Sequence, residues 1–62
     1  MNMSSLNTFN QGYLYAERVL ALLPTQETLL SLQTELDERC SDEPYDLGMA
    51  AALADFKRRM GW

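Results

Sequence analysis

The chain has 62 residues and a net charge of −4, with nine acidic and five basic side chains, one cysteine and no histidine. A chain of this length forms one domain at most and buries only about 60% of the surface that it exposes when unfolded. With one cysteine and no histidine, an intramolecular disulfide and an ordinary zinc site are excluded, so we expect stability to come from helix packing and self-association.

The first predicted helix runs from about Phe9 to Leu23. Thr8 is its expected N-cap, since Thr8 and Gln11 have the spacing of a capping box, and residues 1–7 are expected to form a flexible arm. Pro24 ends the helix, because a residue that precedes proline is disfavoured in the helical region. Its apolar arc covers about half of the circumference, wider than the ~100° of an ordinary surface helix, which predicts two neighbours. The arc contains Phe9, Tyr13, Ala16, Leu20 and Leu23, flanked by Val19, Tyr15 and Leu22.

The second predicted helix runs from about Gln26 to Cys40, with Thr25 as its N-cap. Glu35 and Arg39 are four residues apart, a spacing at which they are expected to pair. The apolar stripe is narrow and regular, and the opposite face is largely acidic. The stripe consists of Leu29, Leu32, Leu36 and Cys40, and the opposite face of Glu27, Ser31, Glu35 and Glu38.

The third predicted helix follows a loop at residues 41–44 and runs from about Tyr45 to Met60. Ser41 or Asp42 is its expected N-cap, and Pro44 suits the first turn. Three basic residues complement the helix dipole in the last turn, and Gly61 is the expected C-terminal cap. The apolar stripe contains Tyr45, Met49, Leu53, Phe56 and Met60, with Ala52 beside it.

These elements predict an all-α fold: one small three-helix domain over residues 1–62, built as a helical hairpin plus a third helix. Glycine within a helix costs about 0.5–1 kcal/mol relative to alanine, so the pairs Gly12/Ala16 and Gly48/Ala52 indicate a close crossing of helices 1 and 3. The alternative is that these glycines only fray the first turns of their helices. The predicted core is Leu20, Leu36, Leu53 and Phe56.

Three kinds of surface are candidates for binding a partner. The first is a set of single leucines that could converge into one patch; the second is an alanine-lined side of helix 3, which simple helix propensity also explains. The third is the acidic face of helix 2, either solvated or in contact with a basic partner. The members of these sets are Leu14, Leu30 and Leu47; Ala50, Ala51 and Ala54; and Glu35 and Glu38.

The motifs of catalysis and ligand binding are missing from the sequence. Cys40 has no base to activate it, and the acids from Asp42 to Asp46 lack the spacing of a calcium loop. There is no glycine-rich phosphate loop. We therefore expect no enzyme activity, cofactor, metal or small-molecule substrate. The basic run at residues 57–59 is interpreted as a helix end, so neither nucleic acid nor membrane is an expected partner.

The N-terminal residues lack the basic and apolar regions of a signal peptide, and the longest apolar run is only Val19 to Leu23. We expect a cytoplasmic protein. The predicted function is that of a small regulatory or adaptor protein that binds another protein and forms a homo-oligomer. Two alternatives are a chaperone-like partner of a secreted or assembly-prone helical protein, and an acidic inhibitor of a nucleic-acid-binding enzyme.

Overall fold

A computed structural model describes residues 3–39 and 42–62, and these residues form three α-helices. They are α1 (Met3–Leu22), α2 (Gln26–Arg39) and α3 (Pro44–Met60). The predicted all-α three-helix domain is confirmed. Cys40 and Ser41, which the sequence placed at the end of helix 2 and at a helix cap, lie outside the described residues.

The third helix runs in the same direction as the first. Near their starts Gly12 lies against the backbone of Tyr45, and near their ends Leu20 and Phe56 line one cleft. Most of the contacts between helices are made by this pair, whereas α2 contacts each of the others more sparsely. The hairpin of α1 and α2 is thus completed by a third helix that packs along α1.

Small residues set the close approach of α1 and α3. A β-carbon on Gly12 would collide with the Tyr45 carbonyl oxygen and lie 2.8 Å from its carbonyl carbon. A β-carbon on Gly48 would meet the carbonyl group of Phe9 in the same way. Ala16 and Ala52, one turn further along, are buried. The predicted close crossing is confirmed, and the alternative of frayed first turns is wrong.

The start of α1 differs from the prediction. The helix begins at Met3, six residues before Phe9, so Thr8 lies within it and is not its N-cap. Residues 3–7 are helical where a flexible arm was expected. Neither proline nor glycine precedes Gly12 in the sequence, and a helix once nucleated extends at little cost per residue.

The ends of α1 and α2 are joined by a short bend. Leu23 lies just beyond α1 and still donates its N–H to the Val19 carbonyl at 3.0 Å. Leu23, a member of the predicted apolar arc, is 61% exposed. The Thr25 hydroxyl accepts a hydrogen bond from the Thr28 N–H at 3.1 Å, which confirms Thr25 as the N-cap of α2.

The two ends of α3 are capped differently. Pro44 opens the helix and Glu43 is the N-cap residue, although its side chain makes no capping hydrogen bond, so Asp42 is not the cap. At the other end Gly61 has φ 75° in the left-handed region, and the Trp62 N–H donates to the Lys57 carbonyl at 2.9 Å. This is the geometry of a Schellman cap and confirms the prediction for Gly61.

The core lies between α1 and α3, with α2 closing one side. Leu20, Leu53 and Phe56 are buried as predicted, whereas Leu36 is half-buried against the core and Met60 is exposed. The buried apolar residues are Ala16, Leu20, Leu29, Leu32, Met49, Ala52, Leu53 and Phe56.

Candidate functional site

A groove of about 580 Å³ runs between α1 and α2. One wall consists of Tyr15 and Val19 on α1 with Leu23 just beyond its end, and the buried side chain of Leu32 lies on the α2 side. The groove is open because the apolar arc of α1 is wider than the area that α3 covers. Side chains that face α2 therefore keep solvent contact, and Tyr15 is 44% exposed.

One end of the groove is held in place by an aromatic pair. The rings of Tyr15 and Tyr45 are 6.3 Å apart at an interplanar angle of 39°. Aromatic rings at this separation attract each other. Because Tyr45 belongs to α3, this contact ties the groove wall to the rigid pair of α1 and α3.

Two carboxylates, Glu27 and Glu35, lie on the rim of the groove, and both are exposed. They are eight residues apart on α2, a distance of about 12 Å along the helix. Glu38 is exposed one turn beyond Glu35 on the same helix. The residues that line the groove include no basic side chain, so the rim has negative potential.

The expected pair between Glu35 and Arg39 is wrong. A terminal nitrogen of Arg39 lies 3.1 Å from a carboxylate oxygen of Asp46, whose side chain is only 8% exposed. The guanidinium also approaches the Met49 sulfur at 3.7 Å. Arg39 turns towards Asp46 because a buried carboxylate needs a charged or hydrogen-bonding partner more than an exposed one does. Glu35 is thereby left on the groove rim.

The three candidate leucines are exposed, as expected for surface residues, and each lies on a different helix. Leu14 lies two residues before the buried Ala16, which places it about 200° around α1 and on the outer face. The same offset separates Leu30 from the buried Leu32 on α2. Leu47 is 48% exposed on α3. Leu30 nevertheless lines a small cleft of about 200 Å³ with Lys57 and Trp62 at the end of α3.

The alanine side of α3 is partly taken up by α2. Ala50 and Ala54 are exposed and line a small cleft of about 230 Å³ with Leu36 of α2, whereas Ala51 is half-buried. The sequence placed the groove residues Tyr15, Val19 and Leu23 on or beside the apolar arc of the first helix, which was expected to face two neighbours, and did not identify them as a site. The width of the apolar arc was the available signal.

A second polar contact joins α1 and α3. The Tyr13 hydroxyl donates a hydrogen bond of 2.5 Å to a carboxylate oxygen of Asp55. This hydrogen bond, together with partial burial and the negative charge of Asp55, raises the pKa of Tyr13 above its ordinary value. Tyr13 therefore stays protonated at neutral pH, and the contact serves to hold the two helices.

Within residues 3–39 and 42–62, His, Cys, Asp and Glu side chains form no group of three or more that could hold a metal ion. Over the same residues, none of the helices has the length and apolar character needed to cross a bilayer. No protein-family model, curated protein or solved structure matches the chain. The groove is thus assigned from its own geometry and charge.

Proposed function

We propose that this protein is a non-enzymatic protein-interaction module that binds an amphipathic helix of a partner in the groove between α1 and α2. The observation that supports the proposal is the combination of an apolar wall, formed by Tyr15, Val19 and Leu23, with a rim that includes Glu27 and Glu35. An apolar groove bordered by charge is a common mode of helix recognition.

The dimensions of the groove define the partner segment. Tyr15 and Leu23 are eight residues apart, about 12 Å along α1, which matches two turns of a bound helix. Such a helix would place apolar side chains at positions i, i+3 or i+4, and i+7 in the groove. Lysine or arginine at its edges would face Glu27 and Glu35, which raises the association rate and selects the orientation.

This activity suits a regulatory or adaptor protein. It also suits a chaperone-like partner, since an assembly-prone helical protein has an amphipathic helix to shield. The two roles differ in the behaviour of the partner: a chaperone's client is unstable alone, whereas an adaptor's partner is folded before binding. Refolding of an isolated partner helix only in the presence of this chain would support the chaperone-like role.

The experiment uses two synthetic helical peptides with the same leucine spacing, one flanked by lysines and one by glutamates. We expect the lysine peptide to bind more tightly, with an affinity that falls as salt is added. The variant Tyr15→Ser/Leu23→Ser should weaken that binding at least tenfold, and Glu27→Gln/Glu35→Gln should reduce the preference for lysine. Isothermal titration calorimetry measures both effects.

Two matched variants serve as controls. Leu14→Ser removes an exposed leucine from the outer face of α1, and Asp42→Asn removes an exposed carboxylate outside the groove. Neither should change binding. Equal losses in the groove and control variants would refute the groove as the site, and equal affinity for both peptides would refute the charge argument.

The acidic end of the bundle supports a second candidate function, inhibition of a nucleic-acid-binding enzyme. Glu35, Asp37 and Glu38 in the last turns of α2 lie close in the chain to Asp42 and Glu43 before α3. The charge reversal Glu35→Lys/Glu38→Lys should abolish such inhibition while leaving the helical circular dichroism spectrum intact. It should weaken binding of the lysine peptide only in part, since Glu27 and the apolar wall remain.

A further inference from the structure

Exposed apolar side chains gather where α1 ends, α2 begins and α3 ends. Pro24, between α1 and α2, lines one cleft with Met60 at the end of α3. Trp62 lines another with Gln26, the first residue of α2. The exposed fractions are 76% for Leu22, 61% for Leu23, 43% for Met60 and 44% for Trp62. We call this surface the tip and define it as Leu22, Leu23, Pro24, Met60 and Trp62.

The charges of the described residues are separated along the bundle. The halves of the three helices that end at the tip have four bases against three carboxylates, a local charge of +1: Arg18, Lys57, Arg58 and Arg59 against Glu17, Glu27 and Asp55. The opposite halves of α2 and α3, with the two described residues before α3, have six carboxylates against one arginine. The net charge of −4 is therefore concentrated away from the tip.

The distance between the basic and acidic ends is large compared with the range of electrostatic interactions in solution. The molecule is 34 Å long, and electrostatic interactions decay over about 8 Å at physiological ionic strength. A negatively charged surface that meets the tip is therefore attracted by the basic turn and screened from the acidic end. The overall negative charge acts to orient the molecule and does not prevent such contact.

The basic side chains at the tip are not needed for the helix cap. The cap is made by the backbone, through the left-handed Gly61 and the hydrogen bond from Trp62 to Lys57. The side chain of Arg58 is 80% exposed, and its pair with Asp55 is long, at 3.8 Å. The sequence-based interpretation of these bases as a helix end therefore leaves their charged groups available for a second role.

We propose that the tip docks on an anionic phospholipid surface. Leu22 and Leu23 would enter the boundary between headgroups and acyl chains, and Trp62 would lie at the headgroup level, where amphipathic aromatic rings are favoured. Lysine and arginine near such a surface are attracted by anionic lipids. This is contact with one leaflet at the membrane surface. Because Leu23 also lines the groove, the test of the tip uses Leu22 and Met60, which do not line it.

The shape of the tip favours a lipid over a protein partner. The groove is concave, with walls that could hold a helix, whereas the tip is a bend and a helix end from which leucines project. Projecting apolar side chains need a medium that closes around them, and a fluid lipid layer does so without a shaped pocket. A protein partner or a second copy of this chain would need a complementary cavity.

The full chain reports its own binding, because Trp62 is its single tryptophan. Vesicles of phosphatidylcholine alone and of phosphatidylcholine mixed with phosphatidylglycerol are added to the protein. We expect a blue shift of Trp62 emission and co-sedimentation with the mixed vesicles, and at least tenfold weaker binding to phosphatidylcholine alone. Added salt should weaken the binding to the mixed vesicles.

Two double variants test the assignment to the tip. Leu22→Ser/Met60→Ser should reduce binding to the mixed vesicles at least tenfold, while the matched control Leu14→Ser/Leu47→Ser, which removes two exposed leucines elsewhere, should bind normally. Circular dichroism of each variant verifies that it is folded, and Arg58→Gln/Arg59→Gln provides a second test that leaves the apolar residues in place.

Three outcomes would overturn the proposal. The first is the absence of co-sedimentation with either kind of vesicle. The second is equal binding by the tip and control variants. The third is a concentration-dependent emission shift without lipid, abolished by Leu22→Ser/Met60→Ser, which would assign the tip to contact between copies of the chain.

Discussion

Gly12 packs against the main-chain carbonyl of Tyr45 so closely that even a methyl side chain on the glycine would not fit. Gly48 packs in the same way against the carbonyl of Phe9, so each helix offers a glycine to the backbone of the other. This reciprocal contact makes α1 and α3 the rigid part of the molecule. Because α3 takes only one side of the apolar arc of α1, the other side becomes the wall of the groove.

The first prediction is that Gly12→Ala and Gly48→Ala each strongly destabilise the fold. The added β-carbon meets backbone atoms, which cannot rotate away, so we expect a loss of about 3 kcal/mol, the upper end for overpacked sites, or more. The total stability expected for a chain of this size is about 3–9 kcal/mol. Urea unfolding monitored by circular dichroism measures the loss.

Gly61→Ala is the matched control for these two variants. Gly61 has φ 75° with open space around it. Its substitution therefore costs only the energy of holding alanine in the left-handed conformation, about 1–2 kcal/mol. If Gly12→Ala were no more harmful than Gly61→Ala, the close crossing of α1 and α3 would be wrong.

The second prediction concerns the ion pair between Arg39 and Asp46. Arg39→Ala leaves the buried Asp46 carboxylate without its guanidinium, and we expect a loss of about 1–3 kcal/mol. The loss is smaller than for a fully buried pair, because the Arg39 side chain is 43% exposed. Arg18→Ala, on the exposed side of α1, should change the free energy of unfolding by less than about 0.5 kcal/mol.

A double-mutant cycle separates the interaction energy of the ion pair from the individual contributions of its two side chains. The cycle compares the single variants Arg39→Met and Asp46→Leu with Arg39→Met/Asp46→Leu. The double variant removes both charges and should recover part of the stability lost in Arg39→Met, since no unpaired charge remains. If the double variant were as unstable as the sum of the two single variants, Arg39 and Asp46 would not be coupled.

Local rules in the sequence predicted much of the fold. Pro24 and Thr25 located the start of α2. Gly61 was identified as the C-terminal cap of α3 because a helix often ends in a residue with left-handed backbone conformation, which glycine adopts most easily. The paired small residues predicted the crossing of α1 and α3, because glycine inside a helix is unfavourable unless a neighbour needs the space. Each of these inferences depends on residues close in the chain, or on a single residue type, glycine, whose unfavourable helix propensity indicates a close neighbour.

The groove could not be predicted because it depends on how far apart two helices lie. The pattern of α1 places Tyr15 and Val19 on an apolar arc, but periodicity does not tell whether α2 covers them. The partner of Arg39 was missed for a similar reason: Glu35 is near it in sequence, whereas Asp46 is brought near by the turn between α2 and α3. The early start of α1 was missed because Thr8 matches a cap signal that the helix does not use.

The third prediction concerns pH and the hydrogen bond between Tyr13 and Asp55. The folded state raises the pKa of Tyr13, so it binds the phenol proton more tightly than the unfolded chain does. This contribution to stability is complete below the unfolded pKa of about 10 and is lost as pH rises through the folded pKa.

Comparison of the native protein with Tyr13→Phe isolates this effect. The native protein should be the more stable at neutral pH, and the difference between the two should shrink as the pH rises above about 10. All other side chains are the same in the two proteins, so their effects cancel in the difference. Urea unfolding of both proteins across this range provides the measurement, and a difference that stays constant with pH would contradict the prediction.

The last prediction concerns self-association and the three exposed leucines. The native chain is expected to sediment at micromolar concentration with a mass above 7.1 kDa. Because Leu14, Leu30 and Leu47 are exposed on three different helices, Leu→Ser at each position should leave the fold intact, and at most one of the three changes should lower the oligomer mass. Sedimentation equilibrium gives the mass, and thermal melting verifies the fold. If all three variants lost association equally, the leucines would share one interface. Unfolding of any single variant would instead place that leucine in the core, because an exposed leucine costs little when it is replaced.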